Sequence, residues 1–113
     1  MSAVTIGVAS TDKVKARMRQ VFRGKADGAH ISFATVELLW RVLAPKRWQI
    51  LQAMTGAGPL AIREVARRVE RDVKSVHGDV QALLKAGVID RAEDGRIVFP
   101  YDEVHVDFVL SAA

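Results

Sequence analysis

The stretch IREVARRVERDVKSVHGDVQALLKAGVIDRAEDGRIVF, residues 62–99, changes its hydrophobic period once, and that change decides the architecture. Ile62, Val65, Ala66 and Val69 recur at the intervals of a helix with one buried stripe, so the spacing predicts a helix over residues 61–69. After Glu70, Arg71 and Asp72 a second helical run begins. Asp72 is placed to cap it, because its short side chain can accept from the unpaired N–H groups of the first turn. Val73, Val76, Val80, Leu83 and Leu84 form the apolar face of this run, and Gly87 ends it. The helical period then gives way to two short extended runs, residues 88–92 and 96–99. They flank Glu93-Asp94-Gly95, and Asp-Gly is a signal for a tight hairpin.

Working outward, Pro45 suits the first turn of a helix on which Trp48, Leu51 and Met54 share a side, until Gly56 and Gly58 stop it. Three helices with so short a turn between the last two make a helix-turn-helix candidate, and the hairpin directly after the third has the place of a wing. Further back, Val36, Leu39, Trp40 and Leu43 fall on one face of a short helix, and Ile31 and Phe33 suggest a brief extended piece. GKADGAH, residues 24–30, reads as a loop.

Val4, Ile6 and Val8 alternate as in a strand. Ser10 or Thr11 then caps a helix with Val14, Met18, Val21 and Phe22 on one face and Lys13, Lys15, Arg17, Arg19 and Arg23 on the others, ending near Gly24. Past Pro100, the side chains of Val104, Val106, Phe108 and Leu110 share one side of a last strand. It can pair with the N-terminal strand within the chain or across a dimer.

Composition bounds what such a chain does. With 113 residues, half of them hydrophobic, there is room for one core in one domain, small enough that a partner subunit would help. The absence of cysteine excludes disulfides and thiolate metal sites. MSAVTIGVAS is too short and lacks the charged start of a signal peptide, and no run approaches the roughly 18 apolar residues of a membrane span. The expectation is a soluble cytoplasmic protein with no membrane partner. Net charge is +4 but uneven: +6 over residues 1–49, +2 over 50–87 and −4 over 88–113. The basic part suits a polyanion, while the acidic tail does not suit phosphates.

REVARRVERDVKSVHGDV across the last two helices, LLKAGVID at the turn into the hairpin and VFPYDEVHVDF after it resemble the winged helix-turn-helix of small prokaryotic predicted transcriptional regulators, related broadly to the MarR and ArsR types. The resemblance covers roughly residues 31–110 and is most specific across 60–108. It departs at Ala61, where such sequences often have a serine cap, and at Gly78, where they can carry a larger polar residue. The fold expected is α+β, a winged helix-turn-helix over residues 31–113 that includes the C-terminal strand. Residues 1–30 are a strand-helix extension and candidate dimerisation element. What the resemblance implies is a sequence-specific DNA-binding regulator, a repressor of its own operon, with double-stranded DNA and a second copy as partners. Its alternative is an antitoxin that neutralises a cognate toxin by protein–protein contact.

A third helix laid in the major groove reads bases from its exposed N-terminal side. Opposite the buried stripe lie Lys74, Ser75, Gly78, Gln81 and Lys85, with His77 at the margin. Gln81 suits a paired hydrogen bond to adenine, Ser75 is permissive, and Lys74 reaches guanine or phosphate. Arg67, Arg68 and Arg71 are placed for the DNA backbone, and Arg91 and Arg96 for phosphate or the minor groove unless Glu93 and Asp94 hold them locally.

Catalytic and metal readings find little. His30, His77 and His105 stand on separate elements without metal-ligand spacing. His77 and Asp79 point about 160° apart on a helix. No nucleophile stands beside a base, so neither enzymatic activity nor a cofactor is expected; His77 reads as a half-buried helix residue beside Leu84.

Overall fold

Alternation along β1 (Ala3–Val8) turns Val4 and Ile6 into the core and Thr5 and Gly7 to the other face. The computed structural model describes residues 2–8 and 29–109, so the expected helix bearing Val14, Met18, Val21 and Phe22, and Leu110 of the last strand, lie outside the described residues. β1 runs parallel to β2 (Ala29–Phe33) on one side and to β5 (Glu103–Asp107) on the other, giving the strand order β2-β1-β5. The register sets Ile6 opposite both Ile31 and Val106.

The last strand therefore pairs with the first within the chain. Ser2 and Asp102 fasten its start: Asp102 N–H donates to the Ser2 carbonyl at 2.8 Å, and Ser2 N–H donates to the Asp102 carboxylate at 3.2 Å. Gly7 permits the close approach of β1 and β5, since a Cβ there would lie 2.5 Å from the Asp107 carbonyl oxygen.

Among the described residues four helices stand on the apolar side of the sheet or beyond it: α1 (Val36–Val42), α2 (Pro45–Met54), α3 (Ile62–Val69) and α4 (Val73–Lys85). Thr35 caps α1 by accepting from Leu38 N–H at 3.1 Å, and Pro45 occupies the first turn of α2. Leu39 and Leu43 with Ile50, Leu51 and Met54 meet Val4, Ile6 and Phe33 of the sheet. Val65 and Ala66 of α3 and Val76, Val80 and Leu83 of α4 continue that core to Val88, Ile89, Ile97 and Phe99. Each buried aliphatic or Phe side chain contributes about 1.5–3 kcal/mol.

Two residues expected inside stand outside. Trp40 shares α1 with Leu39, but Leu39 and Leu43 take the inward positions and Trp40 rests edge-on against Phe108, with ring centroids 5.7 Å apart. Val73 is the first residue of α4, where the helix has not yet reached the core, and it is exposed.

β3 (Asp90–Arg91) and β4 (Ile97–Val98) pair antiparallel as the expected hairpin. Ala92 N–H donates to the Arg96 carbonyl at 2.7 Å and Gly95 N–H to the Ala92 carbonyl at 3.0 Å, closing a three-residue loop, one residue longer than the two-residue Asp-Gly turn. Gly95 sits at φ 88°, a conformation that costs glycine nothing. Leu60 adds a third strand position. Its backbone exchanges hydrogen bonds of 2.8 and 2.9 Å with Ile97, tying the segment before α3 to the hairpin.

Candidate nucleic-acid interface

Between α3 and α4 the chain reverses in three residues. Glu70 takes the left-handed conformation (φ 57°, ψ 46°), and its N–H donates to the carbonyls of Ala66 and Arg67 that the helix end leaves open. Asp72 accepts from Ser75 N–H at 2.9 Å, the cap the sequence predicts. Ala61 provides no side-chain cap for α3.

α4 buries Val76, Val80 and Leu83 and turns Lys74, Ser75, Gly78, Gln81 and Lys85 to solvent. These five share the face that the helical spacing assigns them. His77 is exposed with them rather than half-buried beside Leu84. Its Nε2 lies 3.5 Å from the Gln81 amide nitrogen, because residues four apart on a helix are neighbours.

Asp79 anchors the flank of α4. Arg71, from the turn, donates through Nη2 to Asp79 Oδ2 at 2.7 Å, and Arg47, from α2, donates through Nε to Oδ1 at 3.1 Å. Burial pushes the Asp79 carboxyl up, but the hydrogen bonds from Arg71 and Arg47 outweigh it and hold it below its ordinary value. Arg71 Nη2 also donates to the Ser75 hydroxyl at 2.7 Å, and Nη1 is buried without a hydrogen-bond partner among the described residues. Arg71 thus turns toward α4, whereas Arg67 stays exposed on α3.

Arg67 and Arg68 share Glu64. Arg67 grips both carboxylate oxygens, and Arg68 Nε donates to one at 3.1 Å. The hydrogen bond from Arg67, then that from Arg68, lowers the Glu64 carboxyl to about 2. At the hairpin, Arg91 donates to the Gly95 carbonyl at 3.1 Å. Arg96 donates through its backbone N–H (3.1 Å) and Nε (2.6 Å) to Asp94, whose carboxyl those bonds lower, and through Nη1 to the Pro59 carbonyl at 3.4 Å. Arg96 is held by the acidic loop tip.

The structure thus gathers Lys74, Ser75, His77, Gly78, Gln81 and Lys85 on one helix surface, and sets Arg67 and Arg68 on the preceding helix and Arg91 and Arg96 on the hairpin. Sequence reasoning weighed Asp79 only as a partner for His77 and passed over Arg47. One signal was available: Asp79 lies at the flank of an amphipathic helix, where a half-buried carboxylate needs a cation from elsewhere in the fold. Among the described residues no group of three His, Cys, Asp or Glu side chains is arranged to hold a metal ion, and no helix is long and apolar enough to cross a membrane.

These elements make an α+β domain in which helices and a small sheet share one core. The chain belongs to the HVO_A0114 family, whose model matches residues 42–106. The match runs from the last residue of α1 into β5, taking in α2, α3, α4 and the hairpin and leaving β1 and β2 outside. No curated protein matches the chain.

Proposed function

We propose that the protein is a sequence-specific DNA-binding transcriptional regulator of the winged helix-turn-helix type, acting in the cytoplasm as a repressor of its own operon. The observation that carries this reading is α4. Its outer face presents the polar, basic or backbone groups of Lys74, Ser75, His77, Gly78, Gln81 and Lys85, while Asp79, gripped by Arg47 and Arg71, fixes the helix from its flank. A helix presented in this way fits the major groove, where Gln81 matches the donor–acceptor pair of adenine and Lys74 the acceptors of guanine. Arg67 and Arg68 supply charge for the phosphates alongside, and the β3–β4 hairpin takes the part of the wing with Arg91.

Selection of bound duplexes from a random DNA pool by the full chain tests the reading. One enriched motif is expected, with an affinity that falls steeply and linearly in log–log form as salt rises. Equally weak retention of all sequences would overturn it.

A further inference from the structure

Val73 is the one large apolar side chain that α4 leaves exposed, at 45%. The other exposed large apolar residues among those described, Leu38, Trp40, Val106 and Val109, lie on α1 and at the end of β5, elements that the contact of Trp40 with Phe108 joins. Val73 belongs to neither element. It opens α4 directly after Asp72, whose carboxylate accepts from Ser75 N–H at 2.9 Å, so the capped helix start holds its backbone in place without help from the core.

Steps of four residues along α4 join Val73 to His77, Gln81 and Lys85, all of them exposed. His77 Nε2 and the Gln81 amide nitrogen, 3.5 Å apart, make the row continuous at its centre. It runs from an apolar tip through an imidazole and an amide to an ammonium. A recognition helix contacts base edges with its N-terminal residues, and none on α4 is more N-terminal than Val73. Resting on the reading of α4 as the helix in the major groove, we propose that Val73 is a specificity-determining residue that reads the C5-methyl group of a thymine.

Base chemistry selects that ligand. Thymine alone presents an apolar group on the major-groove edge, where guanine, adenine and cytosine show acceptors and donors. Closing Val73 over the amino group of cytosine or O6 of guanine takes a polar atom out of water and gives it no partner, whereas two methyl surfaces lose only water. The preference thus has an attractive part at thymine and a repulsive part at G·C pairs. Helix geometry places the thymine. Eight residues separate Val73 from Gln81, about 12 Å along the axis against about 3.4 Å for each base step. The thymine therefore lies about three or four base pairs from the adenine that Gln81 suits.

The test takes the duplex enriched by the full chain from a random pool and replaces each thymine in turn with deoxyuridine, which lacks only the methyl group. One replacement is expected to weaken wild-type binding about 4-fold, the worth of one buried methyl group. It should fall about three or four base pairs from the position at which Gln81→Ala relaxes preference. Val73→Ala should bind the thymine and uracil duplexes equally. A merely structural role for Val73 would weaken binding to both duplexes and leave the uracil penalty in place. That outcome, or a wild type indifferent to every replacement, overturns the inference and leaves the DNA reading standing. A pool with no enriched motif overturns the DNA reading, and this inference with it.

Discussion

Arg71 and Asp79, eight residues apart, are joined by a 2.7 Å hydrogen bond, and Arg47 completes the grip from α2 at 3.1 Å. One carboxylate thus ties α2, the turn and α4 together. Asp79→Ala is expected to cost about 2–3 kcal/mol in urea unfolding, because two half-buried guanidinium groups lose their shared acceptor. The Asp79 carboxyl is lowered by folding, so its contribution is fully present above the unfolded carboxyl's pKa and is lost as pH falls through the folded value. The stability gap between wild type and Asp79→Asn should therefore narrow with acidification; a gap independent of pH would contradict the ion-pair account.

Glu64 gives a direct titration test. Its carboxyl is held at about 2 by Arg67 and Arg68, so its carbon-13 resonance should show a midpoint near 2 in the wild type. In Arg67→Ala with Arg68→Ala the midpoint should return to the ordinary range. Any contribution of Glu64 to stability is present above the unfolded value and disappears as pH falls toward about 2.

Gly78→Ala isolates helix propensity from contact. A Cβ at Gly78 meets nothing within 4 Å, so the variant should gain about 1 kcal/mol in thermal or urea unfolding. The same variant interrogates the proposed groove contact: a loss of DNA affinity despite the stabilised fold would place bases against the Gly78 backbone, and unchanged affinity would leave that position outside the contact.

Gly7→Ala should act in the opposite sense. The added methyl would press on the Asp107 backbone, where no side chain can turn aside, and a loss of about 1–3 kcal/mol is expected. Amide exchange should show the hydrogen bonds between β1 and β5 loosening more than those within α3 and α4.

On the DNA selected by the wild type, Gln81→Ala should cost about 1–3 kcal/mol and relax preference at one base pair, whereas Arg67→Ala should weaken binding on all sequences and lower the salt slope by about 1. Quantitative binding at several salt concentrations separates these outcomes.

Periodicity made the helices and the hairpin legible, because each carries a strong local signal: Asp72 as a cap, Pro45 at a first turn, Asp94-Gly95 at the loop. The Glu70 turn was legible only as a short break, since glutamate gives no hint of a left-handed conformation. The pairing of β5 with β1 was one of two open options, because alternating valines name a buried face and not a neighbour. Within the candidate interface, helical geometry placed the outward residues of α4, but the inward turn of Arg71 depends on Arg47 and Asp79, which are distant in sequence. Trp40 and Val73 were misplaced because a stripe of apolar residues does not tell which of its members lies beyond the reach of the core.

β1 lies between strands that arrive at very different times during synthesis. β2 follows it, but β5 emerges only after the four described helices and the hairpin have been made. Until then the β1 edge that β5 will cover carries unanswered backbone hydrogen bonds, and the late closure of so long a loop slows folding. The nascent chain thus leaves that β1 edge open to other copies on the same polysome until β5 emerges, and the Ser2–Asp102 clasp joins the start of β5 to the residue before β1.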